Sequence, residues 1–245
     1  MRYCVVIRTI RQRYLPRCLQ SVQEQGILNF AGYVWFDGEA EPCDDFEDYS
    51  FFCDDDDRFD FRYDENHVGV AANLSRAVAD LRDEWTRDGK PEWIVSILDG
   101  DDMLPPKALW RVQRVYEKYP DTLITYGSYI KMSKGRKTKI SQPYPDDADV
   151  RKYPWRGSHL KTFRASLLPH IREEWFKDEK GNWLQAASDL ALMIPLMELA
   201  GLDRCRHISR PTYIWRDNTP WKTNRELQKR CEAIVRAKPR EKRLP

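Results

Sequence analysis

An open α/β fold, with a mostly parallel central sheet flanked by helices, is predicted by three features of the chain. Apolar runs of strand length recur through the first half, amphipathic stretches separate them, and polar residues close each run. Runs that are apolar on both faces suit parallel strands, because crossover helices cover both sides of such a sheet.

The elements follow in order. "YCVVI" (3–7) is a buried strand ending in a polar turn. Leu15, Cys18, Leu19 and Val22 then fall at i, i+3, i+4 and i+7, one face of a helix. "GYVWFDG" (32–38) reads as a second strand and "FDFRY" (59–63) as a short third. Val70, Leu74, Ala77, Val78 and Leu81 mark a helix, and "EWIVSIL" (92–98) is another buried strand. "LPPKALWRVQRVYEKY" (104–119) is a helix with prolines near its start, followed by a strand in "TLITYGSYIKM" (122–132). Beyond this point the pattern loosens. Residues 151–171 begin as loop and end as helix, and 182–201 form an apolar helix closed by Gly201, with Pro195 as a kink or break. "CRHISRPTYIWR" (205–216) ends in a strand, and 222–236 form a last helix. No repeat and no convincing linker divides the chain, so a single domain is expected.

With 245 residues, 41% of them hydrophobic and nine of them Trp, the chain can bury a sizeable core and is not a disordered one. A net charge of +2 hides an asymmetry. From Asp37 to Glu65 there are fourteen acids and two bases, a balance of −12 that leaves +14 elsewhere. Nine bases and three acids from Lys222 onward make a basic end, which suits a phosphate-rich partner or simply a soluble helix and tail. The six cysteines form no CxxC pair, and Cys4 and Cys18 sit in apolar contexts, as buried free thiols of a reducing compartment do. No apolar stretch approaches the ~20 residues of a membrane span, so a cytoplasmic location is expected.

In open α/β sheets, ligands bind beyond the carboxyl ends of the strands. Three polar clusters lie at such ends: Arg8, Thr9 and Arg11; Asp37; and Asp99, Asp101 and Asp102 in "SILDGDDML". Closely spaced carboxylates repel unless a cation or proton compensates, and a hard divalent ion is the usual solution. Asp101 or Asp102 could equally cap the helix starting near Pro105, and spacing alone leaves both readings open. The acids of "CDDDDRFD" (53–60) lack a strand to aim them and read as a solvated loop.

From Val5 to about Trp221 the chain resembles the family-2 glycosyltransferases, nucleotide-sugar-dependent enzymes of the GT-A (Rossmann-like) fold. The resemblance rests on "VVIRTIRQRYLPRCLQSVQEQ" (5–25), "VWFDG" (34–38), "NHVGVAANLSRAV" (66–78), "LDGDDML" (98–104), "AASDLALMIPLMELAG" (186–201) and "RPTYIWRDN" (210–218), in the family's order. There are departures. Arg8 stands where Pro is usual, His67 and Ser75 where Asn is, Ser188 in place of Glu, and Asn218 where a His often follows. The resemblance implies a domain over 1–221, with a nucleotide-binding half (1–104) and an acceptor half (105–221), followed by a basic helix and tail (222–245).

It further implies transfer of a sugar from a nucleotide-diphosphate donor, a UDP-sugar first, to an acceptor hydroxyl with inversion. Asp101, with Asp99, would hold Mn²⁺ or Mg²⁺ against the diphosphate, and Asp99 could instead meet the ribose. Asp37 would meet the base, Thr9 and Arg11 would line the nucleotide pocket, and Arg216 would close over the diphosphate. Asp189, the only charge between Lys180 and Glu198, would be the general base. Trp155, Arg156, Ser158 and His159 would meet the donor sugar and acceptor, while His67 and His207 are read as structural. The acceptor would be a glycan, as for most of the family. Alternatives are a hydroxymethylated pyrimidine of phage DNA, suggested by "KMSKGRKTK" (131–139) and the basic end, or an inactive binding module. The oligomeric state is left open.

Overall fold

The structure, a computed structural model, describes residues 1–10, 12–27, 29–38, 56–132, 137–216 and 224–245. Strand β1 (Arg2–Thr9) leads through a 3₁₀ turn, Gln12–Tyr14, into α1 (Leu15–Gln23), and β2 (Phe30–Phe36) and β3 (Phe59–Tyr63) follow. Then come α2 (Val70–Arg87), β4 (Trp93–Asp99), α3 (Ala108–Lys118), β5 (Ile124–Met132) and β6 (Lys137–Lys139). Last are β7 (Lys161–Arg164), α4 (Ser188–Ala200), β8 (Cys205–Arg216) and α5 (Arg225–Ala237).

The strands bond in the order β3-β2-β1-β4-β7-β5-β6, with β8 on the other side of β5. β3, β2, β1 and β4 run parallel. β7 is antiparallel to both β4 and β5, and β8 is parallel to β5. The carboxyl ends of β1, β2, β4, β5 and β8 therefore meet the amino end of β7 along one sheet edge.

Alternation along the strands fills two cores. Tyr3, Val5 and Ile7 pack with α1 and α3 on one face, while Cys4 and Val6 pack with α2, α4 and α5 on the other. Burying a side chain of this kind contributes about 1.5–3 kcal/mol, so the sheet is held from both sides.

Three expectations need correction. The region expected to end as a helix before 171 instead supplies β7 and two 3₁₀ turns, Ala165–His170 and Glu173–Phe176. Its "KTFR" sends Phe163 into the core while Thr162 bonds the Tyr116 and Thr125 hydroxyls. The apolar helix starts only at Ser188, and Pro195 does not break it. A proline there removes one backbone donor, but α4 is buried on nearly every side and packing keeps it continuous. In the acidic segment, Asp56 and Asp60 pair with Arg58 and Arg62 at 2.6 Å each; residues 53–55 lie outside the described residues.

The basic C-terminal segment belongs to the core. Asn224 caps α5 by accepting the Glu226 and Leu227 amides, and Cys231 and Val235 are buried. Arg151 and Glu198 form a buried two-bond ion pair (2.7 and 2.8 Å), and Arg151 also donates to the Val235 carbonyl. Arg236 donates to the carbonyls of Val150, Arg151 and Tyr153, Lys238 to those of Glu174 and Lys177, and Arg243 pairs with Asp203. The Leu244 amide bonds the Leu199 carbonyl at the end of α4. Cys4, Cys18, Cys205 and Cys231 are buried free thiols, and among the described residues no helix is long and apolar enough to cross a membrane.

Candidate active site

The sheet edge gathers the predicted acids. Arg8 and Asp99 are neighbours in the β1/β4 register, and their side chains pair at 2.6 Å. Arg8 also donates to the Val70 carbonyl and the Ser188 hydroxyl, which ties β1 to the starts of α2 and α4. Burial works to raise the Asp99 pKa, but Arg8, with Lys161 behind it, outweighs it and holds the carboxylate below its usual range. Gly100 follows because nothing larger fits. Its amide bonds the Arg8 carbonyl at 2.7 Å, and a Cβ would lie 2.6 Å from the Thr9 Cβ.

Asp102 does not act as the helix cap that its position allowed, since α3 begins at Ala108 after Lys107. Its carboxylate, buried beneath the edge, accepts from the Tyr213 hydroxyl at 2.7 Å and the Arg216 amide at 2.7 Å. The Asp99 amide donates to the same Tyr213 oxygen at 3.3 Å, so β8 is stitched to the end of β4. Burial, together with the charges of Asp99 and Asp101, pushes the Asp102 pKa up to about 8. Asp102 is a structural anchor, and Asp99 and Asp101 are the other two acids of this turn.

Arg216 lies over the Tyr14 ring at 4.6 Å and donates from Nε to the Asp101 carbonyl at 3.0 Å. Its Nη2 is buried without a partner among the described residues. A buried N–H left unpaired costs about 1–3 kcal/mol, which an acceptor oxygen reaching Nη2 would recover.

Asp37 follows β2 and is buried. Its oxygens accept the Val68 and Gly69 amides, with His67 Nδ1 at 3.1 Å. Gly69 takes φ +88°, open to glycine at little cost, and its amide thereby reaches Asp37 as α2 begins. Asp37 thus fixes the α2 start at the sheet edge, and Thr9, whose carbonyl accepts the Asp37 amide, packs beside it. Arg11 lies outside the described residues, as does Asn218.

Opposite these groups, Asp189 stands in the first turn of α4. Lys161 Nζ lies 3.1 Å from Asp189 Oδ2 and 3.0 Å from His159 Nδ1. His159 stacks on Tyr213 with ring centroids 4.3 Å apart. Burial works to raise the Asp189 pKa, but the Lys161 ammonium, with Arg8 behind it, outweighs it and holds the carboxylate low. Burial, then Lys161, press the His159 pKa down to about 3, which keeps its ring neutral.

Of the four residues expected near the sugar and acceptor, His159 is the one whose side chain touches this group. Arg156 is held by the Pro143 carbonyl and the Tyr153 hydroxyl. Trp155 lies against Gly157 and the core, and the Ser158 carbonyl accepts the Gly127 amide. Sequence reasoning missed Lys161 and Tyr213. Tyr213 stood inside a quoted motif, whereas the four-residue strand that places Lys161 has no periodicity to reveal it.

Among the described residues no three His, Cys, Asp or Glu side chains could enclose a metal by themselves. Two carboxylates, Asp99 and Asp101, fit a hard cation that completes its shell with phosphate oxygens and water.

The fold is shared with solved structures. S. aureus TarS matches with a TM-score of 0.59 and 16% identity, over 88% of this chain and 37% of that one. A TarS fragment, residues 1–349, in complex with UDP-GlcNAc matches at 0.58 and 14%, over 90% of this chain and 60% of that one. At such identity the likeness speaks to fold, and this chain spans less than two thirds of either structure. No curated protein matches the chain. The family model for glycosyl transferase family 2 matches residues 4–172, more than half of the chain. Asp189, Tyr213 and Arg216 lie beyond that segment, on elements that complete the same sheet edge. The chain belongs to glycosyl transferase family 2.

Proposed function

We propose that this protein transfers a sugar from a nucleotide-diphosphate donor, a UDP-sugar first, to an acceptor hydroxyl with inversion at the anomeric carbon. The observation that carries the reading is the meeting of Asp99 and Asp101 with Arg216 and its unpaired Nη2 at one sheet edge, opposite Asp189. The TarS fragment in complex with UDP-GlcNAc supports a UDP-sugar as the first donor to try.

Asp99 and Asp101 would hold Mg²⁺ or Mn²⁺ together with the diphosphate, and when bound the ion offsets charge on the leaving group. The chain's own groups do the rest. Arg216 donates to diphosphate oxygens, a pairing suited to a planar guanidinium. Thr9 and the α2 start held by Asp37 wall the nucleotide side. Asp189 takes the proton of the attacking hydroxyl, the new C–O bond forms at the anomeric carbon, and the nucleoside diphosphate leaves with the electron pair. A single displacement of this kind inverts the centre.

A carbohydrate hydroxyl is the preferred acceptor, because Arg236, Lys238 and Arg243 of the basic end are spent on internal contacts that a nucleic acid would have to break. The test is a screen of nucleotide sugars by nucleotide release, with Mn²⁺ or Mg²⁺ present. Turnover by the wild type, abolished in folded D101A and D189N, is expected. Full activity in either variant would remove that residue from the mechanism, and tight donor binding with no turnover would leave a binding module.

A further inference from the structure

Lys161 stands out because its position serves stability poorly. Its side chain is 4% exposed, whereas that of Asp189 is 30% exposed, so a buried ammonium is paired with a partly exposed carboxylate. Desolvating a lysine costs several kcal/mol, and such pairs often add no more stability than apolar residues of similar size. The start of α4 already has another tie, from Arg8 to the Ser188 hydroxyl. The backbone there is also strained. Ala187, two residues before Asp189, takes φ +57°, a left-handed conformation that a residue with a Cβ adopts only when its surroundings compel it.

The pairing constrains both partners. β7 opens at Lys161 opposite Ile97, which sets the lysine just behind Asp99. One Nζ–H reaches Asp189 Oδ2 and another reaches His159 Nδ1, whose ring is fixed by stacking on Tyr213. Tyr213 in turn bonds Asp102 and the Asp99 amide. The carboxylate opposite the donor side is therefore located by a chain of contacts that begins at the donor side.

We propose that Lys161 is a positioning residue for the transfer: it pins Oδ2 of Asp189 and leaves Oδ1 to take the acceptor's proton. This rests on the glycosyltransferase reading above. Lys161 takes no part in the proton transfer, which runs from the acceptor hydroxyl to Asp189. A base held this way is weaker than a free carboxylate but remains ionised and aligned into the acid range. The charged and titratable groups facing Asp189 are Lys161 and His159 on the β7 side, Arg8 on β1 and Asp99 on β4. Removing Lys161 should make Asp189 easier to protonate, so activity would fail at a higher pH.

The test compares K161M, K161R and D189N with the wild type, each checked for folding by thermal melt. Turnover of the donor found in the screen is followed from pH 4 to 9, and donor affinity is measured separately. For K161M the expected results are a loss of at least tenfold in kcat at pH 6, a donor Kd within twofold of wild type, and an acid limb about one pH unit higher. K161R should keep the wild-type limb. An unmoved limb with unchanged kcat would overturn the proposal, and so would loss of donor binding as severe as in D101A, which would make Lys161 a donor ligand. A readout independent of turnover separates this failure from failure of the function. With ¹³C-labelled aspartate, the carboxyl signal missing from D189N should titrate below the usual range in wild type and move up by about a unit in K161M. If no nucleotide sugar is turned over but the signal moves, the function falls and the pinning stands. If the signal does not move, the Lys161 proposal falls whatever the turnover.

Discussion

Replacing Tyr213 with Phe removes one oxygen and tests how the site is held. That oxygen donates to Asp102 Oδ2 at 2.7 Å and accepts the Asp99 amide at 3.3 Å, in a fully buried position. Phe fills nearly the same space and can keep the stack on His159, so the loss is confined to the two hydrogen bonds. The short bond to a carboxyl is worth about 2 kcal/mol, and leaving the longer-bonded amide unpaired costs about 1 kcal/mol more. The sum of about 3 kcal/mol corresponds to a fall in Tm of roughly 6–12 °C for a domain of this size. Thermal unfolding by circular dichroism, without ligand, measures it. A second reading comes from metal-dependent donor affinity, which should weaken because Asp99 and Asp101 lose the anchor beneath them. A Tm within 2 °C of wild type would refute the reasoning, since it would mean that Asp102 and the Asp99 amide find other partners at no cost.

Three further outcomes are expected. Gly100→Ala sets a Cβ 2.6 Å from that of Thr9; overpacking of this kind costs about 1–3 kcal/mol and should shift the Asp99–Asp101 turn, read as a lower Tm together with weaker donor binding. Glu198→Gln breaks the buried pair with Arg151 and should destabilise by about 3–5 kcal/mol in denaturant titration, with donor affinity unchanged in the folded fraction. His159, depressed to about 3 by burial and Lys161, stays neutral in the fold while the unfolded chain takes up a proton below about 6.5. Its stability contribution is therefore present above that range and lost as pH falls. Between pH 6.5 and 5, H159Q should gain on wild type by about 2 kcal/mol, at about 1.4 kcal/mol per unit, and a constant gap in chemical denaturation would contradict the assignment.

Much of the sheet edge was readable from residue order. Buried parallel strands are apolar throughout, so Asp37 and Asp99 marked where two of them stop, and the topology placed both at one edge. Lys161 was hidden because β7 has four residues and pairs with β4, whose residues lie more than sixty positions earlier. No local pattern reports a partner that distant. Asp102 looked like a helix cap because its bonding partners lie on β8, over a hundred residues downstream. The resemblance implied that Arg156 and Trp155 meet the sugar and acceptor, but the arginine is held by Tyr153 and the tryptophan packs beside Met197. The start of α4 was misplaced for a further reason. A helix buried on all sides shows no polar stripe, so its first turn is set by the contacts of Ser188 and Asp189 with β1 and β7.

The bond between Tyr213 and Asp102 spans 111 residues, which gives the site a history as well as a shape. Closing so large a loop is entropically costly and comes after local pairing in folding. On the ribosome, β1 to β4 can assemble their sheet while β8 is still unmade, with Asp102 lacking both of its β8 partners. Until β8 docks, the acids at the unfinished edge lack the strand that fixes their geometry. A chain cut near residue 172, where the family match ends, would keep the recognisable half and lose the strand that holds its acids in place.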